Sequence, residues 1–507
     1  MAELRVLRED DSLRRVPDER RTKSPGIVFS ILLGIGTALF FLADGADVAT
    51  AYGPANMLVG MLLGTIIVGV IGYYVIQIAL DNGLSSDLMT RAGYGFMGSS
   101  IASFVYTFNF LMFTAFESTI LADAVTTTFP ALPQLPVDIV VGLLFIPLCW
   151  YGVTAMDRIA RITTPIYTIL LLVLVYLGVR HGLSVSVWWH TGQQPLNFWK
   201  VIEISASTIA LVSVGTNSAD VARFIKRLPS QAHAKRTAAL LSFVVMAITL
   251  LVLVPLGSLL SVAFKQPNPG VYIVQQLGVL GLFFVLLTQI RINVMNIYGG
   301  SLAYANFFAR AFHFAPGRHW WVIVTAVLST VLMIGGIFGH LLQILTFEAV
   351  FIVSWASTLV SDLIINRRVL HLVDGMEYRR SRLRDWNPIG VVSILVALLV
   401  SLPMAFGVGG AVATTLAPFV AGVIGFVLPP IVGLLTRGRY YQAQSAATTL
   451  AQVHGCSVCG EHHDLGDMVN CPFLKAPICS VCCAKQTECG TVCRTSPTSV
   501  QLQQSAT

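Results

Sequence analysis

The sequence predicts an all-α polytopic membrane protein of about 12 transmembrane helices, a five-plus-five inverted repeat with two extra helices. Three observations predict it. Hydrophobic residues make up 55% of the 507 and charged residues only 11%, with a mean hydropathy of +0.75, a composition far from that of a soluble domain. The apolar residues gather in runs of about 20, the length that crosses a bilayer. Two of these runs, five spans apart, are interrupted by small and polar residues, as in discontinuous helices that meet at a midplane site.

Residues 1–25 form the first segment. The stretch MAELRVLREDDSLRRVPDERRTKSPG is too long and too acidic for the n-region of a signal peptide, and no small-residue cleavage site follows the first apolar run. A retained cytoplasmic tail is expected. The membrane domain, 26–436, then carries spans near 26–51, 56–80, 98–126, 137–155, 162–180, 199–219, 237–263, 278–306, 320–338, 343–365, 388–407 and 412–435. Even-numbered connections hold Arg91; Arg158 and Arg161; Arg223, Lys226, Arg227, Lys235 and Arg236; Arg310 and Arg318; and the basic stretch Arg367 to Arg384. The other loops have Arg180, Lys200 and Lys265 as their main cations. The positive-inside rule therefore puts both termini in the cytoplasm of a plasma or inner membrane. Trp188, Trp189, Trp199, Trp320, Trp321 and Trp386 lie at span ends, where interfacial anchors belong. The net charge of +7 is explained by those loops, so nucleic acid is not expected as a partner.

Within the spans, Gly34-Ile-Gly36 interrupts the first and Gly215-Thr-Asn217 the sixth, inside VGTNSADVARF, Val214 to Phe224. Glycine in a membrane helix also serves close packing. The matched positions favour two broken helices.

Four segments in order resemble the purine and cytosine permeases of the nucleobase-cation symporters, which have the leucine-transporter fold. They are GLSSDLMTRAGYGFMGS (Gly83 to Ser99), TNSADVARF (Thr216 to Phe224), INVMNIYGGSLAYANFF (Ile292 to Phe308) and SDLIINRR (Ser361 to Arg368). The similarity covers residues 27–368. It implies a secondary transporter working by alternating access, with a small-molecule solute held between the first, third, sixth and eighth spans. The implied lining is Gly36 and Phe40; Phe113 and Glu117; Leu211, Gly215 and Asn217; and Asn293 and Asn296. Three positions depart from the family pattern. Phe113 and Glu117 stand where a Trp and a Gln usually hold a base, and Leu211 replaces an aromatic residue. Smaller ring area and a carboxylate suit a small polar, nitrogenous solute better than a planar nucleobase.

Glu117 and Arg291 each lie near mid-span, where a charge costs about 2.5 to 3.5 kcal/mol on insertion scales and marks a functional candidate. If the third and eighth spans adjoin, the two can pair directly, with Gln289, Asn293 and Asn296 adding hydrogen bonds. A structural ion pair is the other reading. The resemblance also puts Arg291 at a position that supplies a hydroxyl to sodium in coupled relatives. A guanidinium there repels Na+ and can stand in for it, so sodium-independent function is expected. Asp44 and Asp47 are expected to face water beyond the first-span break, and Glu348 and His340 are candidates for proton coupling. No nucleophile, base and oxyanion set is evident, so an enzyme is not expected.

Beyond a linker, 437–455, eight of the nine cysteines crowd into the segment 456–493, and a polar tail, 494–507, is expected to be disordered. Cys456, Cys459, Cys471, Cys479, Cys482, Cys483, Cys489 and Cys493, with His462 and His463, form a candidate metal-binding module. In a reducing cytoplasm metal binding outweighs disulfides, and paired C-x2-C knuckles suit structural Zn2+. An iron–sulfur cluster or redox thiols are the alternatives. The segment His454 to Cys483 also resembles zinc-binding-like modules that join transporter-like domains to signalling domains in bacterial sensors. That resemblance implies the rival function, a solute receptor acting on a cytoplasmic protein partner.

Overall fold

A computed structural model describes residues 14–150, 152–312, 314, 316–443, 455–486, 488, 489 and 493, without the side chains of 152–161 and 193. The start of the N-terminal tail, most of the linker, the side chains of Arg158 and Arg161 and the tail beyond 493 lie outside the described residues.

The chain is an all-α polytopic membrane fold: among the described residues nine helices are long and apolar enough to cross a membrane, ten with the bent first pair, and the runs near 137–155 and 320–338 form shorter apolar helices. The first run forms α1 (Pro25–Gly36) and α2 (Leu39–Tyr52), bent by 46° where they meet. Ser24 caps α1 by accepting from the Ile27 N–H, and Pro25 sits where a missing N–H costs nothing. There follow α3 (Pro54–Asn82), a short amphipathic α4 (Ser86–Tyr94), α5 (Ser100–Thr128), α6 (Gln134–Leu143) and α7 (Gly152–Arg180). The second half has α8 (Phe198–Ala222), α9 (Gln231–Phe264), α10 (Pro269–Leu277), α11 (Val279–Ala311), α12 (Arg318–Ile334), α13 (Ile337–Val369), α14 (Pro388–Ala405) and α15 (Gly410–Thr436). One apolar core runs through all of them from Val28 to Ala421. Large apolar side chains such as Leu172, Leu399 and Leu435 point outward, as a bundle solvated by lipid requires.

Small residues bring some helices to backbone contact. A Cβ on Gly45 of α2 would stand 1.9 Å from the Val254 carbonyl oxygen of α9, and one on Gly257 would stand 2.3 Å from Leu42 Cα. Either clash must push α2 away from α9, and overpacking of this kind costs about 1 to 3 kcal/mol or more. Gly45→Val and Gly257→Val are each expected to lose the monodisperse peak in detergent size-exclusion chromatography. Wild-type elution with an unchanged Tm would contradict this packing.

The sixth span departs from expectation. Gly215, Thr216 and Asn217 do not interrupt it. They lie inside a regular α-helical stretch, and the irregular turn is 3-10, at Ile209–Leu211. Gly215 is small because α3 passes close by: its Cβ would meet Gly72 Cα and the Val68 carbonyl oxygen, each at 3.4 Å. The Thr216 and Ser218 hydroxyls donate to the Val212 and Val214 carbonyls, so their polarity is satisfied within the helix. Gly36 is also a packing residue, since Thr249 Oγ1 of α9 lies 2.3 Å from where a Cβ would stand. The first-span break falls just after it, at Thr37 and Ala38.

The cysteine-rich segment is a small hairpin, β1 (Met468–Cys471) antiparallel to β2 (Ala476–Cys479), followed by α16 (Ser480–Lys485). It docks on the connection between α13 and α14. Tyr378 Oη donates to Asp467 Oδ1 at 2.9 Å, and Arg380 Nη1 donates to the Cys483 carbonyl at 3.2 Å.

Candidate functional site

The break in the first span creates two helix ends inside the membrane. The C-terminal end of α1 offers unpaired carbonyls with partial negative charge, and the N-terminal end of α2 offers free N–H groups with partial positive charge. Each end meets one intramembrane charge. Because α5 and α11 pack along their length, Glu117 and Arg291 both reach this level.

Arg291 goes to the end of α1. Its Nη2 donates to Thr37 Oγ1 and, at 3.4 Å, to the Thr37 carbonyl. Its guanidinium carbon lies 4.8 Å from the Tyr167 ring centroid, a cation–π contact in a desolvated place. The side chain passes Gly34, where a Cβ would sit 3.1 Å from Arg291 Cδ. Glu117 goes to the start of α2 and accepts from the Phe40 N–H and, at 2.9 Å, from Gln289 Nε2. The expected direct Glu117–Arg291 pair is therefore not formed. Each charge is matched by a helix end, and the two interact only through space.

Asn293 adjoins this pair through Gln289, and several further expected site residues on α8 and α11 have buried polar atoms that are incompletely bonded. Asn293 Nδ2 donates to Ser118 Oγ at 3.4 Å and to Gln289 Oε1 at 3.5 Å. Arg291 Nε and Nη1, Asn293 Oδ1, Asn296 Nδ2 and Asn217 Oδ1 are buried and make no hydrogen bond. Unpaired buried donors and acceptors are costly unless a ligand or water meets them. Phe40 and Phe113 form the apolar wall, with ring centroids 5.1 Å apart and edge to face. Leu211 is buried in the 3-10 turn of α8.

The site is closed differently on its two sides. Toward the C-terminal end of α2 there is a cavity of about 670 Å³, lined by Asp47, Lys265, Phe338 and His340 among others. Phe338 packs on Phe116 with centroids 6.3 Å apart, and Phe116 packs on Phe40 at 5.9 Å, so aromatic rings separate this vestibule from Glu117. Asp47 lines the vestibule as expected, but Asp44 is buried, only 4% exposed, because α2 lies backbone to backbone on α9. His340 belongs to the vestibule. Glu348 is fully buried and accepts from Asn109 Nδ2, with Oε2 unpaired.

Toward α4 the closure is polar and thick. Ser86 donates its N–H and its hydroxyl to Asp220 Oδ1 at 2.8 and 2.9 Å, Tyr106 donates to Thr216, and Ser103 donates to Asp87 at 2.6 Å. Arg91 and Arg310 share Asn306 Oδ1 and are buried. An N-terminal strap lies across this face: Lys23 N–H donates to Phe224 O at 3.0 Å, Val16 N–H to Gly83 O at 2.9 Å, and Asp18 pairs with Arg227 at 3.1 Å. The Arg227 hydrogen bonds hold the Asp18 carboxyl below its ordinary range. Asp362 and Arg367 form an ion pair at 3.0 Å, and Arg367 Nη2 donates to the Ala92 carbonyl, so the SDLIINRR segment also ends on α4.

Sequence reasoning missed Thr37 and Tyr167, the two residues that hold Arg291. Thr37 directly follows Gly36 and could have been found from its place at the break; Tyr167 lies in an ordinary apolar run and gives no signal.

In the tail, Cys456, Cys459, Cys479 and Cys482 bring their sulfurs within 4.8 Å of one another, a set that could hold a metal ion. Backbone N–H groups of Cys479 and Cys482 point at Cys456 and Cys479 sulfurs at 3.3 and 3.4 Å. Thiol donors from Cys479 and Cys482 hold the Cys456 thiol low, while Cys479 itself is pushed up. His462 and His463 are not in this four-sulfur set. His463 Nε2 lies 3.7 Å from Cys459 Sγ, and its Nδ1 lies 3.7 Å from Asp467 Oδ2, a place beside the cluster.

The profile of the family described as permeases for cytosine/purines, uracil, thiamine and allantoin matches residues 15–428. A search of curated protein sequences gave no match. Among solved structures, Mhp1, a nucleobase-cation-symport-1 family transporter in a closed conformation with bromovinylhydantoin bound, is 18% identical, with a TM-score of 0.68 over 85% of this chain and 99% of that one. The inward-facing conformation of Mhp1 is 17% identical, with a TM-score of 0.69 over 84% and 94%. A substrate-bound, outward-open Na+-coupled sialic acid symporter is 13% identical, with a TM-score of 0.57 over 86% and 95%. At these identities the matches establish a shared fold.

Proposed function

The chain belongs to the family of permeases for cytosine/purines, uracil, thiamine and allantoin, and from that premise we propose that it carries a small polar, nitrogenous solute by alternating access without coupling sodium. The observation that carries the reading is Arg291 at the carbonyl end of α1, with its fixed charge where a bound cation would otherwise be stabilised. The unpaired Arg291, Asn293, Asn296 and Asn217 atoms offer both donors and acceptors, which suits a solute carrying C=O and N–H groups side by side. The Phe40 and Phe113 rings meet edge to face and leave little flat stacking surface, which favours a compact ring or ureide over a purine. The vestibule is the outer entrance and the α4 layer the cytoplasmic gate, in keeping with the basic residues on that side and with both termini in the cytoplasm.

A thermal-shift screen of the purified protein against nucleobases, nucleosides, ureides and amino acids tests the substrate class, since a ligand held by the native state raises Tm. A shift with ureides or pyrimidine-sized cyclic amides is expected. A shift confined to purines would contradict the compact-ring reading.

The four convergent cysteines hold structural Zn2+ in this reading, because tetrahedral thiolate sites suit that ion and the thiols lie in a reducing compartment. A high-affinity chelator is expected to abolish the protection of these cysteines against alkylation while leaving solute binding by the membrane domain measurable. Alkylation rates unchanged by chelation would contradict a bound metal.

A further inference from the structure

The hairpin register decides which cysteines can share an ion. Cys479 stands opposite Met468 and Cys471 opposite Ala476, so the two cysteines occupy opposite ends of the hairpin. Three residues of strand separate those ends by about 10 Å. One tetrahedral ion, with Zn–S bonds of about 2.3 Å, cannot bridge that distance. Cys482 and Cys483 are likewise divided, because neighbours on a helix point about 100° apart. Cys482 faces the set made with Cys456, Cys459 and Cys479, and Cys483 faces away from it.

On that other side the remaining thiols gather. Cys471, Cys483, Cys489 and Cys493 line one cavity of about 20 Å³, together with Ser381, Phe473 and Ile478. Cys483 lies close enough to Cys471, Cys489 and Cys493 to feel the charge of each. None of the four is in a disulfide. The cavity is about the size that takes one small occupant, and its sulfur lining selects a soft or borderline cation over water.

We propose that Cys471, Cys483, Cys489 and Cys493 form a second metal site for Zn2+ or a similar thiophilic divalent ion, interleaved in sequence with the first. The first site takes the first, second, fourth and fifth cysteines of the tail, and the second takes the third, sixth, seventh and eighth. This set is wider than the first, and a bound ion draws the four sulfurs inward. The second site also abuts the membrane domain. Ser381 shares its cavity, and Arg380 donates to the carbonyls of Cys483, Ala484 and Gln486 while its guanidinium lies 5.4 Å from the Phe96 ring centroid. Arg91 of α4 covers the same ring at 5.3 Å. Occupancy of the second site thus fixes the segment on which the α4 gate rests.

The inference rests on the reading of the tail as a metal module, and its test separates the two. Metal content of the full-length protein purified in detergent is measured by elemental mass spectrometry, with native alkylation mapped by peptide mass spectrometry. The expected result is two zinc ions per chain, falling to one in the Cys471→Ser/Cys489→Ser protein and to one in the Cys456→Ser/Cys482→Ser protein. In the wild-type protein Cys471, Cys483, Cys489 and Cys493 are expected to resist alkylation until a chelator is added, a readout that does not depend on any variant folding. One zinc per chain with these four alkylated at once, or a disulfide among them, overturns the second site and leaves the first. No bound zinc, or iron with labile sulfide, overturns both.

Discussion

Replacing Arg291 with alanine is expected to weaken solute binding by about 10- to 100-fold and to lower Tm. The estimate comes from what the side chain does. A charged hydrogen bond to Thr37 contributes about 1.5 to 3 kcal/mol, and the desolvated contact with the Tyr167 ring about 2 kcal/mol. Part of that sum is regained when water enters the vacated space, and what remains falls on stability and lowers Tm. The loss of affinity comes from the Nε and Nη1 donors left for a solute, where one charged hydrogen bond is about 1.5 to 3 kcal/mol and each 1.4 kcal/mol is tenfold. The α1 carbonyl end is then left without a cation. Arg291→Ala is therefore expected to gain a sodium response that the wild-type protein lacks, read as a Tm shift or a binding shift between sodium and choline buffers of equal ionic strength. Arg291→Lys keeps the charge but loses the planar fork and its stacking on Tyr167, and should keep sodium independence with an intermediate affinity.

Changes at Glu117 should separate support from recognition. Glu117→Ala leaves the Phe40 N–H and Gln289 Nε2 without their acceptor in a buried site, at about 1 to 3 kcal/mol for each orphaned donor. A clear fall in Tm is expected, together with loss of solute binding. Glu117→Gln retains an acceptor oxygen for one of those donors, removes the charge and turns the other oxygen into an NH2 donor. It should preserve most of the stability while reducing solute affinity by about tenfold, because a charged hydrogen bond becomes a neutral one. Wild-type affinity in Glu117→Gln would show that the carboxylate only holds α2 and does not touch the solute.

Much of the membrane architecture was legible because lipid leaves the chain few options. Every backbone polar group must be bonded within a helix, so apolar runs of the right length declare the spans. The mid-span charges were legible for the same reason, as Glu117 and Arg291 are costly in lipid unless partners offset them. What the sequence hid was how they are paid off by neighbours. Opposite signs on adjoining helices suggested a direct pair, but helix termini are strong partners, and nothing in the residue types shows that α1 ends at Thr37 or that α2 begins beside Glu117. The sixth span misled for a related reason. Gly215, Thr216 and Asn217 look like an interruption, yet glycine against Gly72 and back-bonded hydroxyls are also how a continuous helix packs closely. In the tail, C-x2-C spacing announced metal chemistry, while the division of the cysteines depended on strand register, which spacing does not carry.

The α4 layer shows how separate motifs acquire a common role. GLSSDLMTRAGYGFMGS, TNSADVARF and SDLIINRR are far apart in sequence, and they meet through Ser86–Asp220, Tyr106–Thr216 and Arg367–Ala92 contacts at one end of the bundle. Residues of the strap and the cysteine module reach the same end, through Arg15–Asp464 at 3.4 Å and Tyr378–Asp467.

The most direct test of the central claim is solute uptake into proteoliposomes, compared with external sodium and with choline at equal ionic strength, for the wild-type protein and Arg291→Ala. The guanidinium at the end of α1 predicts saturable wild-type uptake at the same rate in both buffers, and uptake by Arg291→Ala that is weak in choline and raised by sodium. Wild-type uptake that requires sodium would contradict it.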